Sequence, residues 1–147
     1  MQTAFSTRLI NLIAALAIGG ALLLAQAGGA LAGTRLVARV SISEQTMQVT
    51  IDGQSAFRWK VSTAARGYVT PTGTFRPTRM HRMWYSRKYD NAPMPHFVFF
   101  HRGYAVHATD AVKRLGRPAS HGCIRLHPDH AFDFYTLVET VGPAQAS

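Results

Sequence analysis

Cysteine is all but missing from this 147-residue chain, and its one copy, Cys123, has no second cysteine to pair with. An internal disulfide framework is excluded. Acidic side chains are also few, seven against 16 Lys and Arg. His-Glu-x-x-His and Cys-x-x-Cys pairs are absent, as are repeats and low-complexity segments. Zinc wants a compact cluster of His, Cys and carboxylate ligands, yet His81, His96, His101, His127 and His130 are scattered along the chain. These five are read as surface or structural side chains, and no metal or other cofactor is expected. A zinc hydrolase is the rival enzyme class, and activity that survives a strong chelator removes it.

The first 32 residues carry one basic side chain (Arg8), no acidic one, and an apolar run from Leu9 to Ala25. Ala30-Leu31-Ala32 supplies the small-x-small pattern that a signal peptidase cuts after. Residues 1–32 therefore read as a secretory signal peptide. The competing reading is an uncleaved membrane anchor, but about 17 residues is the lower limit for a span, and Gly19-Gly20 interrupts the run. Under either reading the 33–147 domain lies outside the cytoplasm, in the periplasm or cell wall. Without Arg8 that domain has 15 basic and seven acidic side chains, net +8 with His neutral. Export argues against nucleic acid as partner. The cell wall or an anionic membrane surface fits the charge better, while the plain alternative is that the excess only keeps the protein soluble.

From Arg35 onward the apolar period is two. Leu36, Ala38, Val40 and Ile42 alternate with polar residues, as do Met47, Val49 and Ile51, then Phe57, Trp59 and Val61. Asp52-Gly53 marks a hairpin between the last two runs. Residues 79–95 lack clean periodicity and hold Pro93 and Pro95, so they are read as a long aromatic and basic loop, a flap over a site. His96–Phe100 and Tyr104–His107 read as partner strands around a turn at His101-Arg102-Gly103. Ser120–Leu126 is expected to be extended and to lead into a helix from Pro128, stopped by Gly142, with Phe134, Leu137, Val138 and Val141 as its apolar stripe. The expected fold is mainly β, with one or two peripheral helices.

On an extended Ser120–Leu126, alternation places His121, Cys123 and Arg125 on one face and Ile124 and Leu126 on the other. A lone cysteine is usually an inert small apolar side chain. An imidazole and a guanidinium beside it argue otherwise, because nearby positive charge favours a thiolate. Gly122 lets the backbone come close to a ligand, and the N–H groups around Cys123 are candidates for an oxyanion hole. A nucleophilic thiol also needs a base within reach. His107 is the candidate: with Tyr104 and Val106 toward the core, it falls on the Ala105 side of its strand. His121 is the rival, but side chains two apart on a strand lie roughly 7 Å from each other, so it suits an orienting or pocket role. Ser120 is read as a hydrogen-bonding support for one of the histidines.

His107, a spacer, then Ser120-His121-Gly122-Cys123-Ile124-Arg125 resembles the signature of the L,D-transpeptidase family with its YkuD-type catalytic domain. Val61-Ser62-Thr63, Thr70-Pro71-Thr72-Gly73-Thr74-Phe75 and Met94-Pro95 to Phe100 are similar to further family segments, so the likeness runs from about Leu36 to Val141. The resemblance implies a β-sandwich-like domain and a peptidoglycan substrate. Cys123 would be acylated by a tetrapeptide stem with loss of D-alanine, and His107 would activate the thiol. Ser120, His121, Gly122 and Arg125 would support the motif and the pocket. An amine would resolve the thioester: a second stem in a 3–3 cross-link, a free D-amino acid, or an outer-membrane protein or lipoprotein. Water would make the same site a carboxypeptidase or endopeptidase. Family members are also acylated at this thiol by carbapenems. A monomer is expected.

Three departures from the pattern stand out. Ala108 replaces the usual glycine after the first motif histidine, where the backbone carbonyl orients the imidazole. Ser62-Thr63-Ala64 replaces Ser-Thr-Gly. Residues 143–147 leave little room for the closing strand expected after the helix. The non-enzymatic alternative is a basic wall-binding protein, for which Cys123→Ser changes nothing.

Overall fold

The computed structural model describes residues 33–87 and 90–147; the leader expected at 1–32 lies outside them. The alternating runs form β1 (Leu36–Ser41), β2 (Thr46–Ile51) and β3 (Gln54–Lys60), an antiparallel sheet in that order. Asp52 and Gly53 have φ of 50° and 81°, the two left-handed residues that a tight β-hairpin needs to match strand twist. Asp52 also accepts from the Arg35 N–H through Oδ1 at 2.7 Å.

A second sheet runs β4 (Arg79–Ser86), β5 (Ala92–His101), β6 (Tyr104–Ala108) and β7 (Ile124–Leu126), with only the β6–β7 pair parallel. The expected flap is therefore a strand pair, with Met83 opposite Pro95 and Tyr85 opposite Pro93. Both prolines sit in the first half of β5, whereas β6 pairs only with Val98, Phe99 and His101. There β5 has one open edge, where a missing N–H costs no ladder bond. His96 interrupts the pairing at φ 53°, which erases the alternation a strand would show in the sequence.

The helix α1 (Pro128–Val141) begins as expected with Pro128 in its first turn, and His127 caps it, Nδ1 accepting from the Asp129 N–H at 3.3 Å. It buries Ala131, Phe134, Tyr135 and Val138 against β5, β6 and β1. The main core joins both sheets and this helix: Leu36, Met47, Val49, Trp59, Val98, Val106, Ile124, Leu126 and Val138 are all nearly or fully buried. No helix among the described residues is long and apolar enough to cross a membrane.

Two backbone joints extend the sheets, one at β7 and one at β1. The stretch after β3 runs along its free edge, Ser62 and Arg125 exchanging N–H···O bonds of 3.0 and 2.9 Å, and Ser120 bonding to Thr63 and Ala65. The C-terminal residues supply the edge that the sequence left short: the Ser147 N–H donates to Leu36 O at 3.0 Å and Ser147 O accepts from Ala38 N at 2.7 Å.

Candidate active site

Alternation along β6 sends Val106 and Ala108 into the main core and Ala105 and His107 to the opposite face. His107 is 4% exposed and lies in register with Arg125 on β7. Ile124 and Leu126 are core residues, so Arg125 shares the His107 face, and Cys123 packs there against Phe97, Phe99 and Ala105. The expected face therefore holds for Cys123 and Arg125, with His107 beside them.

It does not extend to His121. Ser120 to Cys123 bends rather than running as a strand, because Gly122 has φ 128° and resets the direction of the chain. His121 is exposed, its ring 4.4 Å from that of Tyr68. Gly122 is buried, and a Cβ there would lie 2.3 Å from the Tyr104 ring and 2.8 Å from the Val69 carbonyl oxygen. Close approach is thus the reason for glycine, but to the protein's own Tyr104 and Val69.

Ser120 is fully buried and ties this bend together: its Oγ donates to the Cys123 carbonyl at 2.6 Å and accepts from the Gly122 N–H at 3.0 Å. Neither partner is a histidine, so its supporting role differs from the one expected. Thr70, unassigned by the sequence reading, donates to the Gly122 carbonyl and accepts from the Ala64 N–H, both at 2.9 Å. Arg125 donates to the Ala119 carbonyl at 3.1 Å.

The His107 Nδ1 lies 2.6 Å from the Ala108 carbonyl oxygen. A carbonyl can only accept, so Nδ1 carries the proton and Nε2 keeps its lone pair. Alanine in place of glycine leaves this contact intact, since the backbone makes it. The ring also stacks on Phe97, centroids 5.0 Å apart at 12°. Burial lowers the imidazole pKa to about 4, with Arg125 pushing the same way and the Ala108 carbonyl opposing.

Burial likewise raises the Cys123 thiol pKa, outweighing a backbone hydrogen bond from Ala105 and the charge of Arg125. Neighbouring positive charge by itself favours a thiolate. Arg125 does act in that direction, but loss of water is the larger effect. At neutral pH the site holds a neutral imidazole and a neutral thiol.

A cavity of about 550 Å³ lies on the other side of β6 and β7, lined by Val98, Val106 and Ile124 rather than by Cys123 or His107. The titratable groups locate the site here. Among the described residues no group of three His, Cys, Asp or Glu side chains is placed to hold a metal ion.

The family model of the YkuD L,D-transpeptidase catalytic domain matches residues 35–144. This chain belongs to the L,D-transpeptidase family. Solved structures agree in fold. An L,D-transpeptidase from Mycobacterium smegmatis is 26% identical with a TM-score of 0.66, the match covering 71% of this chain and 55% of that one. One from Stackebrandtia nassauensis is 28% identical, TM-score 0.61, covering 73% and 51%. L,D-transpeptidase 3 from Mycobacterium tuberculosis, in complex with a faropenem-derived adduct, is 26% identical, TM-score 0.62, covering 71% and 56%. The match thus spans about half the length of these relatives. No curated protein sequence gives a significant match.

Two side chains of the 79–95 segment, expected as a flap over a site but not assigned individually, reach the cluster that holds Cys123. Trp84 and Met94 pack on the same aromatic cluster as the thiol. Reading 79–95 as a strand pair would have placed them there.

Proposed function

We propose that this exported domain is a peptidoglycan L,D-transpeptidase with Cys123 as nucleophile and His107 as general base. The observation that carries the reading is the pinned imidazole: a buried, neutral His107 with Nε2 unprotonated, on the strand face it shares with Cys123 and Arg125. The faropenem-derived adduct of the Mycobacterium tuberculosis relative supports a site open to acylating ligands.

In this mechanism Nε2 takes the Cys123 proton as Sγ attacks the carbonyl carbon between the L-centre of a stem diamino acid and its terminal D-alanine. Both groups start neutral, so proton transfer accompanies attack; a base so placed contributes roughly 10²–10⁴-fold. The Gly122 N–H is already engaged by Ser120 Oγ, which leaves the Cys123 N–H as the motif donor for the oxyanion. The imidazolium returns its proton to the departing D-alanine nitrogen, and a thioester forms. An acceptor amine then attacks the thioester, gives its proton to Nε2, and releases the stem as Sγ regains a proton. Ser120, Gly122 and Arg125 hold the bend that positions Sγ, while His121 lies on its exposed rim beside Tyr68.

Purified 33–147 protein incubated with wall sacculi is expected to produce new amide-linked muropeptides with loss of D-alanine, read by mass spectrometry. The products identify the acceptor: 3–3 dimers, D-amino acid-exchanged stems or protein-linked stems. Tripeptides alone would mean that water resolves the acyl-enzyme. A profile identical to that of Cys123→Ser would refute the reading.

A further inference from the structure

The aromatic wall beside Cys123 carries a guanidinium that the reaction above does not use. Arg79 opens β4 opposite Phe99, and its guanidinium carbon lies 4.0 Å from the Phe99 ring centroid and 5.4 Å from that of Trp84. Trp84 meets Phe99 edge-on at 5.4 Å. Phe99, Phe97 and Ala105 are in turn the buried centre against which Cys123, Trp84 and Met94 pack. The same Phe99 ring therefore touches Arg79 and belongs to the cluster that carries the thiol.

Stacking on a ring uses the flat face of a guanidinium and leaves its edge N–H groups free to donate. Five other arginines are engaged, Arg58 and Arg82 with Glu44 and Glu139, and Arg76, Arg117 and Arg125 with backbone carbonyls; what sets Arg79 apart is its place on the Phe99 and Trp84 rings. Among the described residues no carboxylate lies within 4 Å of Arg79. Two rings hold its charge in place beforehand, which lowers the entropy cost of engaging a ligand. A planar carboxylate is the natural partner for such a fork of donors.

We propose that Arg79 binds the terminal carboxylate of the donor stem, on the D-residue that leaves, with Trp84 and Met94 as the apolar surface for that residue's side chain. This rests on the transpeptidase reading and deepens it. A free carboxylate marks the end of a stem, so Arg79 would make the enzyme choose tetrapeptide ends over internal peptide links.

The test measures binding in the Cys123→Ser background, so that turnover plays no part. The probes are a tetrapeptide stem ending in D-alanine and the same stem with only its terminal carboxyl amidated. The parent is expected to bind the acid about 10- to 100-fold more tightly than the amide, the range of a charged hydrogen-bond pair. Adding Arg79→Gln should bring the acid down to the amide's level with the melting temperature unchanged, while Arg79→Lys retains part of the preference. An acid-to-amide ratio that Arg79→Gln leaves unchanged overturns the proposal. So does equal weakening of both ligands with a lowered melting temperature, which would make Arg79 a packing residue. Failure of the transpeptidase reading shows separately, as wild-type protein that binds the acid and forms no thioester.

Discussion

The two faces of β6 and β7 are made of neighbouring residues and do opposite work. On one, Val106, Ala108, Ile124 and Leu126 join the helix and the first sheet in the main core. On the other, Ala105 and Cys123 meet the aromatic wall, His107 stacks on its Phe97, and Arg125 lies in register with His107. On the second face each polar side chain is held by backbone: His107 by the Ala108 carbonyl, Cys123 by Ala105 and Arg125 by the Ala119 carbonyl. The rigidity of the site is thus borrowed from the strands, and their register is maintained by the core. The comparison also explains the resting charge. A face close enough to the core to be rigid is dry, and dryness keeps imidazole and thiol neutral.

The sharpest division between the faces comes from replacing His107. His107→Ala should lower the rate of Cys123 acylation by about 10²–10⁴, whereas His121→Ala, on the exposed rim, should change it less than about tenfold. Equal losses would mean that the base has been misassigned. On the core face, Leu126→Ala should cost about 2–5 kcal/mol of unfolding free energy, because Leu126 is fully buried. Measured well below its melting point, the variant should keep its acylation rate. Loss of rate in the folded variant would show that the faces are not separable.

The pH dependence of stability is the finer probe. The imidazole pKa is about 4 when folded against 6.5 ordinarily, so the unfolded chain takes up a proton first as the pH falls. Stability is complete above about pH 6.5 and should drop by about 3 kcal/mol on approach to pH 4. For Cys123 the folded pKa is the higher one, so the unfolded thiol ionises first and stability is lost as pH rises past about 9. Denaturant titrations of wild type and His107→Gln should differ in slope between pH 4 and 6.5. Parallel curves would place a protonated His107 in the folded state.

Much of this was legible in the sequence, for a local reason. Alternating Leu36–Val40, Met47–Ile51 and Val106–Ala108 show period two because one side is core, and that put His107 on the Ala105 side; Ile42 and Tyr104, expected on the core side, lie outside the core. The hairpin of β4 and β5 escaped because Pro93, Pro95 and the left-handed His96 interrupt the pattern while the strands continue. The alternation assigned to Ser120–Cys123 failed at Gly122, whose φ of 128° no spacing rule reveals. The thiol was misjudged because charge can be counted from neighbours in sequence, whereas burial depends on Phe97, Phe99 and Trp84 arriving from elsewhere.

The most direct test of Cys123 as nucleophile is intact mass after exposure to a carbapenem. Wild-type protein is expected to gain one adduct, located on the peptide containing Cys123, and Cys123→Ser none. An unmodified wild type, or an adduct on the serine variant, would contradict the assignment.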